Sequence, residues 1–287
     1  MISTPLRSKI LSHTRSSSLP SRSHPLIPQF NEHLQRLNSN NNNSTSSSLS
    51  SITKKLQNLE NLHNCIDDLL LLPHTHQVFA RECHEKWVEE ILDGYLGLVD
   101  ACATAKDFIV HTKEYVLNLL SVLRRRRDNS DDHLSVFVSS RKMTKKMIQK
   151  SLRNISSFKN KPCIVALDKD QETIAIISML KEAESITLEL IEALLLSIAG
   201  IKGHSRPRGW ALVSRLLKIN SKDTTLEFAE LDATLCKIVS FRTSKCDILQ
   251  NQLRDMDEII RVVEETLECL FKRLIKSRVS LLNMLSQ

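Results

Sequence analysis

Histidine and cysteine residues crowd one short part of the chain, and both side chains can bind zinc. They are His63, Cys65, His74, His76, Cys83 and His84. Structural zinc sites use ligands at characteristic spacings, and these residues match none of them. Pro73 also interrupts the helix on which the first two residues would lie. The sequence therefore predicts no metal site and no cofactor, and we expect these side chains on the surface or in the core.

Acidic residues also occur in pairs, and paired carboxylates can perform general acid–base catalysis. Three such pairs lie on predicted helices: Asp67/Asp68, Glu89/Glu90 and Glu264/Glu265. We expect them on helix surfaces as solvated charges, because the sequence has no glycine-rich phosphate loop, nucleophile elbow or zinc-protease motif. The sequence therefore favours a protein that is not an enzyme. The alternative is a small-molecule carrier or an enzyme of a signalling-metabolite pathway, with a pocket hidden between helices.

A recognition motif for a phosphate-binding protein lies near the start of the chain. Arg15, Ser18 and Pro20 fit the form R-S-x-S-x-P, by which a phosphoserine docks into a 14-3-3 protein. Phosphorylation of Ser18 adds about −1.5 to −2 charges and three acceptor oxygens for an arginine cluster, and Pro20 turns the chain out of the groove. The motif predicts phosphorylation-dependent binding to 14-3-3, although a tail rich in Ser and Arg also produces such strings by chance.

Four consecutive arginines, Arg124, Arg125, Arg126 and Arg127, form a concentrated run of positive charge. They fall at the end of a predicted helix, where cations stabilise the negative end of the helix dipole. The alternatives are a nuclear-localisation signal or a patch for anionic membranes, which would include the basic residues near position 145.

The composition favours an all-α protein. Five glycines, seven prolines and 4% aromatic residues in 287 positions are too few for a sandwich or barrel of many short strands. No transmembrane helix is predicted, because the most hydrophobic segment, residues 186–201, contains Glu189 and Glu192. The seven cysteines include no Cys-x-x-Cys pair. This pattern indicates a reduced, intracellular chain, with the cytoplasm favoured and the plastid or nucleus left open.

Positive charge is concentrated in parts of the chain. Residues 124–162 contain twelve Lys and Arg against three Asp. Basic segments can bind nucleic acid, but no recognition module or pattern of stacking aromatics accompanies this one, so nucleic-acid binding is disfavoured. Peripheral contact with a membrane stays open, and would use the helix at residues 186–201 beside the basic residues 202–208.

The chain is expected to divide into two regions. Residues 1–48 are rich in Ser, Arg and Asn, with Glu32 as the only acid, and predict a disordered tail with a short helix near Phe30 to Leu37. The acid-poor start also resembles an organelle transit peptide, which is the alternative for this tail. Residues 49–287 are expected to form a helical bundle domain.

Apolar residues recur at alternating steps of three and four in two long segments. The C-terminal set, broken only at its ninth member, is Leu249, Leu253, Met256, Ile260, Val263, Leu267, Leu270, Leu274, Ser277, Leu281 and Met284. A second set, in a helix predicted from about Val78 to Arg127, is Val88, Ile91, Tyr95, Leu98, Cys102, Ala105, Ile109, Thr112, Val116, Leu119 and Leu123. Ile259 and Phe271 widen the first stripe, which favours one wall of an intramolecular bundle over a free coiled coil.

Shorter helices are predicted from capping residues and breakers, at residues 49–72, 132–158, 174–199 and 210–219, with 224–285 as two helices in line. Asp168, with Gln171 three residues later, is expected to cap the start of the helix at 174–199, and Thr224 with Glu227 is expected to form a capping box at the start of 224–285. Gly94 and Gly97 lie inside the long helix and each costs about 1 kcal/mol relative to Ala. They predict a close helix crossing or a bend.

Both ends of the chain resemble a known family. The segments R-S-S-S-L-P-S-R-S-H-P (15–25) and L-F-K-R-L-I-K-S-R-V-S-L-L-N-M-L (270–285) are similar to a plant-specific family of unknown biochemical function, related to the BYPASS proteins. The resemblance implies a plant protein of a group implicated in root and shoot development, with no assigned catalytic residue or cofactor. Together with the helical pattern, it predicts a non-enzymatic interaction or regulatory protein that acts through helix-face contacts and a phosphoserine-gated tail.

Overall fold

The structure is a computed structural model, and it describes residues 26–39, 48–125, 130–159, 169–201, 227–241 and 246–286. Eight α-helices and no strand occur in these ranges, which confirms the all-α class. The helices are α1 (Ile27–Ser39), α2 (Leu49–Leu71), α3 (Pro73–Arg81), α4 (Lys86–Arg125), α5 (Ser130–Lys159), α6 (Gln171–Ala199), α7 (Glu227–Phe241) and α8 (Cys246–Leu285).

Four of these helices, α2, α4, α6 and α8, form the core bundle. Helices α2 and α4 each pack against both α6 and α8. Helices α4 and α8 run antiparallel: Gln250, near the start of α8, donates a hydrogen bond of 3.2 Å to the carbonyl of Leu123, near the end of α4. Further along α8, Glu268 pairs with Lys106 in the middle of α4. The two 40-residue helices α4 and α8 therefore lie side by side along most of their length.

The stripes that the sequence predicts on α4 and α8 face the core. All eleven members of the α8 stripe are at most 4% exposed, and all eleven members of the α4 stripe are at most 5% exposed. Ile259 and Phe271, which widen the α8 stripe, are partly buried against the same core. The prediction that α8 forms one wall of an intramolecular bundle is confirmed, because alternating steps of three and four keep one helix face turned inward.

The remaining helices flank the bundle. Helix α3 packs on α2 and α8, α5 packs on α4 and α6, and α7 packs on α5, α6 and α8. Helix α1 packs on α2 and buries Phe30, Leu34 and Leu37. The short helix predicted near Phe30 is therefore present, and it packs on the bundle although the predicted domain boundary after residue 48 assigns it to the tail.

The long helix α4 begins later than the sequence predicts. It begins at Lys86 instead of about Val78, after the separate short helix α3. At the turn between them, the indole N–H of Trp87 donates a hydrogen bond of 3.3 Å to the carboxylate of Glu82. The Trp87 ring also packs edge-on against Phe79, with 5.1 Å between ring centroids. These contacts stabilise a corner that helical periodicity does not reveal.

Helix α6 is bounded by a cap at each end. Asp170 accepts a hydrogen bond of 2.8 Å from the Thr173 N–H at the start, whereas Asp168, the predicted cap, lies outside the described residues. Gly200 ends the helix with a left-handed backbone φ of 64°. The cap is therefore two residues later than the sequence predicts.

Two glycines of α4 lie at close helix crossings, as the sequence predicts. A Cβ atom at Gly94 would overlap the carboxylate of Glu184 on α6. A Cβ atom at Gly97 would lie 3.3 Å from the ring of Phe158 on α5. The absence of a side chain at these two positions lets α6 and α5 side chains approach the α4 backbone.

The last region of the chain forms two helices, α7 and α8, as predicted, but they are not in line, because Gln252 near the start of α8 lies 3.5 Å from Glu230 near the start of α7. Of the predicted capping pair, Thr224 lies outside the described residues, as does the helix predicted at 210–219. The other member, Glu227, accepts a hydrogen bond of 2.9 Å from the backbone N–H of Leu49, at the first turn of α2. Glu227 therefore provides a hydrogen-bond acceptor for a first-turn N–H of α2, which has no partner within its own helix.

Candidate functional site

A layer of buried polar side chains lies inside the core bundle, and all four of its helices contribute to it. We call this set the polar layer, and its members are His63 and Asp67 of α2, Tyr95 of α4, Thr187 of α6 and Ser277 of α8. The charge of Asp67 acts on the pKa values of both His63 and Tyr95, as expected for neighbouring groups. Polar groups at such depth are stable only when they are hydrogen-bonded.

Asp67 has the largest set of partners in the polar layer. Its carboxylate accepts a hydrogen bond of 2.8 Å from Ser277 Oγ, and it forms ion pairs of 3.3 Å with Arg273 and with Lys276. Arg273 also pairs with Glu60 at 3.2 Å. Asp67 is 7% exposed, so the expectation of a solvated surface charge is wrong for this residue. Hydrogen-bond donors on α8 compensate for the cost of burying this carboxylate. The pattern of residues along α2 alone does not indicate these donors.

His63 is fully buried and uncharged. The Thr187 hydroxyl donates to the carbonyl of Ala183 at 2.6 Å, so Thr187 must accept the 2.8 Å hydrogen bond from His63 Nε2–H. The proton is therefore on Nε2, and Nδ1 has no hydrogen-bond partner among the described residues. Burial lowers the pKa of His63 to about 4, opposed by the nearby Asp67 charge. His63 is a neutral link between α2 and α6 near pH 7.

The polar layer does not contain a nucleophile–base pair. Ser277 donates to Asp67 and not to His63, whose bonded nitrogen faces Thr187. Burial raises the pKa of Tyr95, which keeps its phenol protonated, and its hydroxyl has no partner within the described part of the chain. These side chains are buried between the helices, and their contacts join α2 to α6 and α8. Buried hydrogen bonds of this kind can specify how helices align.

The zinc candidates are dispersed through the structure. His63 and Cys65 are buried on α2, whereas His84 is exposed. His74 lies 3.2 Å from the carboxylate of Glu172 at the start of α6. In the described ranges, no three His, Cys, Asp or Glu side chains come together in a group that could hold a metal ion.

The arginine run falls at the end of α4. Arg124 is exposed and Arg125 is the last residue of the helix, as predicted for cations at the negative end of a helix dipole. Arg126 and Arg127 lie outside the described residues. The localisation-signal and membrane-patch alternatives stay predictions.

Helix α8 exposes a second apolar stripe outside the face that packs into the core. Ile275, Val279 and Leu282 recur at steps of four and three and are 40%, 48% and 38% exposed. We call these three residues the α8 outer stripe. The predictions from the sequence do not include these three residues, although the terminal motif has more apolar residues than the core stripe uses. That excess was the available signal.

Helix α5 exposes a face of different chemistry. Val136, Met143 and Met147 are among the most exposed large apolar residues of the structure. Lys142, Lys146 and Lys150 are exposed beside them at steps of four. We call these six residues the α5 basic face.

The prediction that the helix at residues 186–201 contacts a membrane is wrong. Residues 186–199 belong to α6, and all of them except Leu196 are buried in the bundle. Such a helix cannot present an apolar face to a bilayer while the bundle is intact. In the part of the chain that the structure describes, no helix is long and apolar enough to cross a membrane.

Comparison with known proteins places this helical region in a family. The family described as Protein BPS1 matches residues 55–284, which is most of the chain. The chain belongs to the BPS1 family. This confirms the resemblance to BYPASS-related proteins. No curated protein and no solved structure gives a significant match.

The BPS1 family match includes the polar layer and both exposed faces. It begins within α2 and ends one residue before the end of α8. Arg15, Ser18 and Pro20 lie before the match and outside the described residues. Binding of this BPS1 family chain to 14-3-3 through Ser18 therefore stays a prediction.

Proposed function

We propose that this BPS1 family chain is a non-enzymatic interaction protein that regulates root and shoot development in plants through its helix faces. The observation that supports the proposal best is the α8 outer stripe. Its three side chains span about 10 Å of helix, since α-helices rise 1.5 Å per residue. Exposed apolar side chains at steps of four and three match the contacts that one amphipathic helix makes with another.

The stripe is separate from the residues that hold the fold together. On the core-facing side of the same helix, Leu274 and Leu281 are fully buried. Ile275 and Leu282, which directly follow them in sequence, point outward and have no role in the core. A helix that needed only to fold would be expected to have polar residues at these positions.

Charge around the stripe indicates the chemistry of the partner. Residues 269–287 contain Lys272, Arg273, Lys276 and Arg278 and no acidic residue. Lys272 pairs with Glu268 and Lys276 with Asp67, but both lysine side chains stay mostly exposed, whereas Arg273 is largely covered by its acidic partners. A second copy of the chain would bring cations against cations, which is unfavourable. An amphipathic helix of another protein, with acidic residues beside its apolar face, complements both the charge and the apolar side chains. We propose such a helix as the partner.

The tail supplies a second level of control in this proposal. Phosphorylation of Ser18 would recruit a 14-3-3 protein, and the bound dimer would restrict access to the helical domain. The Ser18→Ala variant is expected to lose phosphorylation-dependent 14-3-3 capture. Capture that survives this substitution would exclude Ser18 as the docking residue.

Affinity purification from plant cells with quantitative mass spectrometry tests the main proposal. The test variant is Ile275→Ser/Val279→Ser/Leu282→Ser. The control is Val110→Ser/Leu117→Ser, which changes exposed apolar residues of α4. We expect a reproducible set of partners to be lost with the test variant and kept with the control. Equal recovery with both variants would overturn the role of the stripe, and normal root and shoot growth in plants carrying only the test variant would overturn the developmental role.

A further inference from the structure

The α5 basic face lies on the outside of the bundle. Helix α5 packs on α4, α6 and α7 through its other side, where Ile148 and Ile155 are buried. On the outer side, Val136, Met143 and Met147 are 65%, 61% and 50% exposed. Steps of seven and four place these three side chains in one line along the helix.

The cations of α5 divide into two groups. On the inner side, Arg141 and Lys145 both pair with Asp232 of α7, at 3.0 Å and 2.6 Å. On the outer side, Lys142, Lys146 and Lys150 form no ion pair within the described residues. Residues 135–159 contain no Asp or Glu, and the two acids of α5, Asp131 and Asp132, lie at its start, at least ten residues or about 15 Å of helix before Lys142. The outer lysines therefore present uncompensated positive charge beside exposed apolar side chains.

We propose that the α5 basic face attaches the protein to an anionic membrane surface. Lysine stems can extend along the helix and reach lipid phosphates, while methionine and valine side chains enter the headgroup region. Basic residues clustered on an amphipathic helix bind anionic lipids with about 1 kcal/mol for each cation near the surface. This attachment would be peripheral and sensitive to salt, and it goes beyond the interaction function proposed for α8.

A membrane fits the α5 basic face better than a partner helix does. A docking helix requires a continuous apolar seam, and on α5 the line of apolar residues is interrupted by Ser140 and Lys150. A bilayer requires no matching seam, because lipid headgroups rearrange around isolated cations and apolar side chains. The α8 outer stripe is uninterrupted, because its three members follow at steps of four and three. It therefore suits a partner helix, whereas the α5 basic face does not.

Sedimentation of the full-length protein with lipid vesicles tests this proposal. One set of vesicles contains phosphatidylcholine alone, and the other contains phosphatidylcholine and phosphatidylserine in equal parts. The test variant is Lys142→Gln/Lys146→Gln/Lys150→Gln. The control, Lys54→Gln/Lys86→Gln/Arg254→Gln, removes the same charge from exposed positions of α2, α4 and α8. Circular dichroism checks that both variants stay helical.

We expect the unmodified protein and the control to sediment with the anionic vesicles only, and to be released as salt is added. The test variant should bind about a hundredfold more weakly, from three lost lysines. Met143→Ser/Met147→Ser should weaken binding by a smaller factor. The proposal is overturned if the unmodified protein does not sediment with anionic vesicles at low salt, or if the test and control variants bind equally. Equal weakening would mean that net charge, and not this face, determines binding.

Discussion

Ser277 of α8 donates a hydrogen bond of 2.8 Å to the carboxylate of Asp67 on α2, across 210 positions of sequence. Ser277 is the member that breaks the apolar repeat of α8, and Asp67 is an acid on the buried side of α2. Each of these two residues opposes the pattern of its own helix. Together they form a polar contact between two core helices, so each explains the presence of the other.

Removal of the Asp67 carboxylate should destabilise the fold. In Asp67→Ala, Ser277 loses its acceptor and Arg273 and Lys276 lose their shared counter-ion. Truncating one partner of a buried pair costs about 3 to 5 kcal/mol, and the exposure of Arg273 and Lys276 lowers this to about 2 to 3 kcal/mol. Urea denaturation followed by circular dichroism measures the free energy of unfolding.

Asp68→Ala is the matched control for this prediction. Asp68 is the next residue of α2 and is exposed, so its removal should change the free energy of unfolding by less than about 0.5 kcal/mol. Equal effects of the two substitutions would mean that the Asp67 contacts do not stabilise the protein.

The burial of His63 should make stability depend on pH. Its pKa is about 4 in the folded protein and about 6.5 in the unfolded chain, so the unfolded state binds the proton first as pH falls. The contribution of neutral His63 is fully present above about pH 6.5 and is lost as the pH falls toward about 4. The loss over this interval is about 3 kcal/mol.

Denaturant unfolding at a series of pH values measures this effect. The His63→Gln variant should show a smaller decrease in the free energy of unfolding between about pH 6.5 and about pH 4. His111→Gln, which removes an exposed histidine of α4, should keep the decrease of the unmodified protein. An unchanged pH dependence in His63→Gln would contradict the buried, neutral assignment of His63.

The parts of the fold that the sequence predicts are those that periodicity alone determines. Residues spaced by three and four along α4 and α8 face one side of a helix whatever the rest of the chain does, and all of them are buried. The corner before α4 could not be predicted, since Val78 and Trp87 fit a continuing helix. Lys169, which precedes α6, forms an ion pair of 2.7 Å with Glu82, and this contact exists only once the helices have packed together.

The polar layer could not be predicted from the sequence, because its contacts also depend on how the helices pack together. Whether Asp67 is a surface acid or a buried one depends on whether Ser277 and Arg273 are opposite to it. The helix pattern identifies the buried side of α2 but not the residues of α8 that pack against it. The α8 outer stripe could not be predicted for a different reason. The sequence does not distinguish apolar residues that face the core from those that face outward until the position of the core is known.

The core face and the outer stripe of α8 should respond differently to truncation. Leu267→Ala, Leu270→Ala and Leu274→Ala each remove a buried side chain and should cost about 2 to 5 kcal/mol, so the triple variant should not fold. The variant with serine at positions 275, 279 and 282 removes exposed side chains and should cost less than about 1 kcal/mol in total. Thermal unfolding followed by circular dichroism compares them. A folded, soluble triple variant at 267, 270 and 274 would mean that this face contacts a partner and not the core.

Alanine at the two glycines of α4 should separate helix propensity from packing. Each Gly→Ala change favours the helix by about 1 kcal/mol. At Gly97 the new Cβ would be 3.3 Å from the partly exposed Phe158 ring, which can shift slightly, so Gly97→Ala should raise stability by about 0.5 to 1 kcal/mol. At Gly94 the Cβ would displace the Glu184 carboxylate, which pairs with Lys181 at 3.0 Å.

The Gly94→Ala change should therefore be stabilising only when Glu184 is also removed. In the Glu184→Ala background the helix gains its propensity without the overlap, so Gly94→Ala should raise the free energy of unfolding by about 0.5 to 1 kcal/mol there and by less in the unmodified protein. A double-mutant cycle on urea denaturation gives the coupling free energy between the two positions. The same stabilisation by Gly94→Ala in both backgrounds would show that α4 and α6 do not cross closely at this point, and would remove the packing reason for a glycine inside α4.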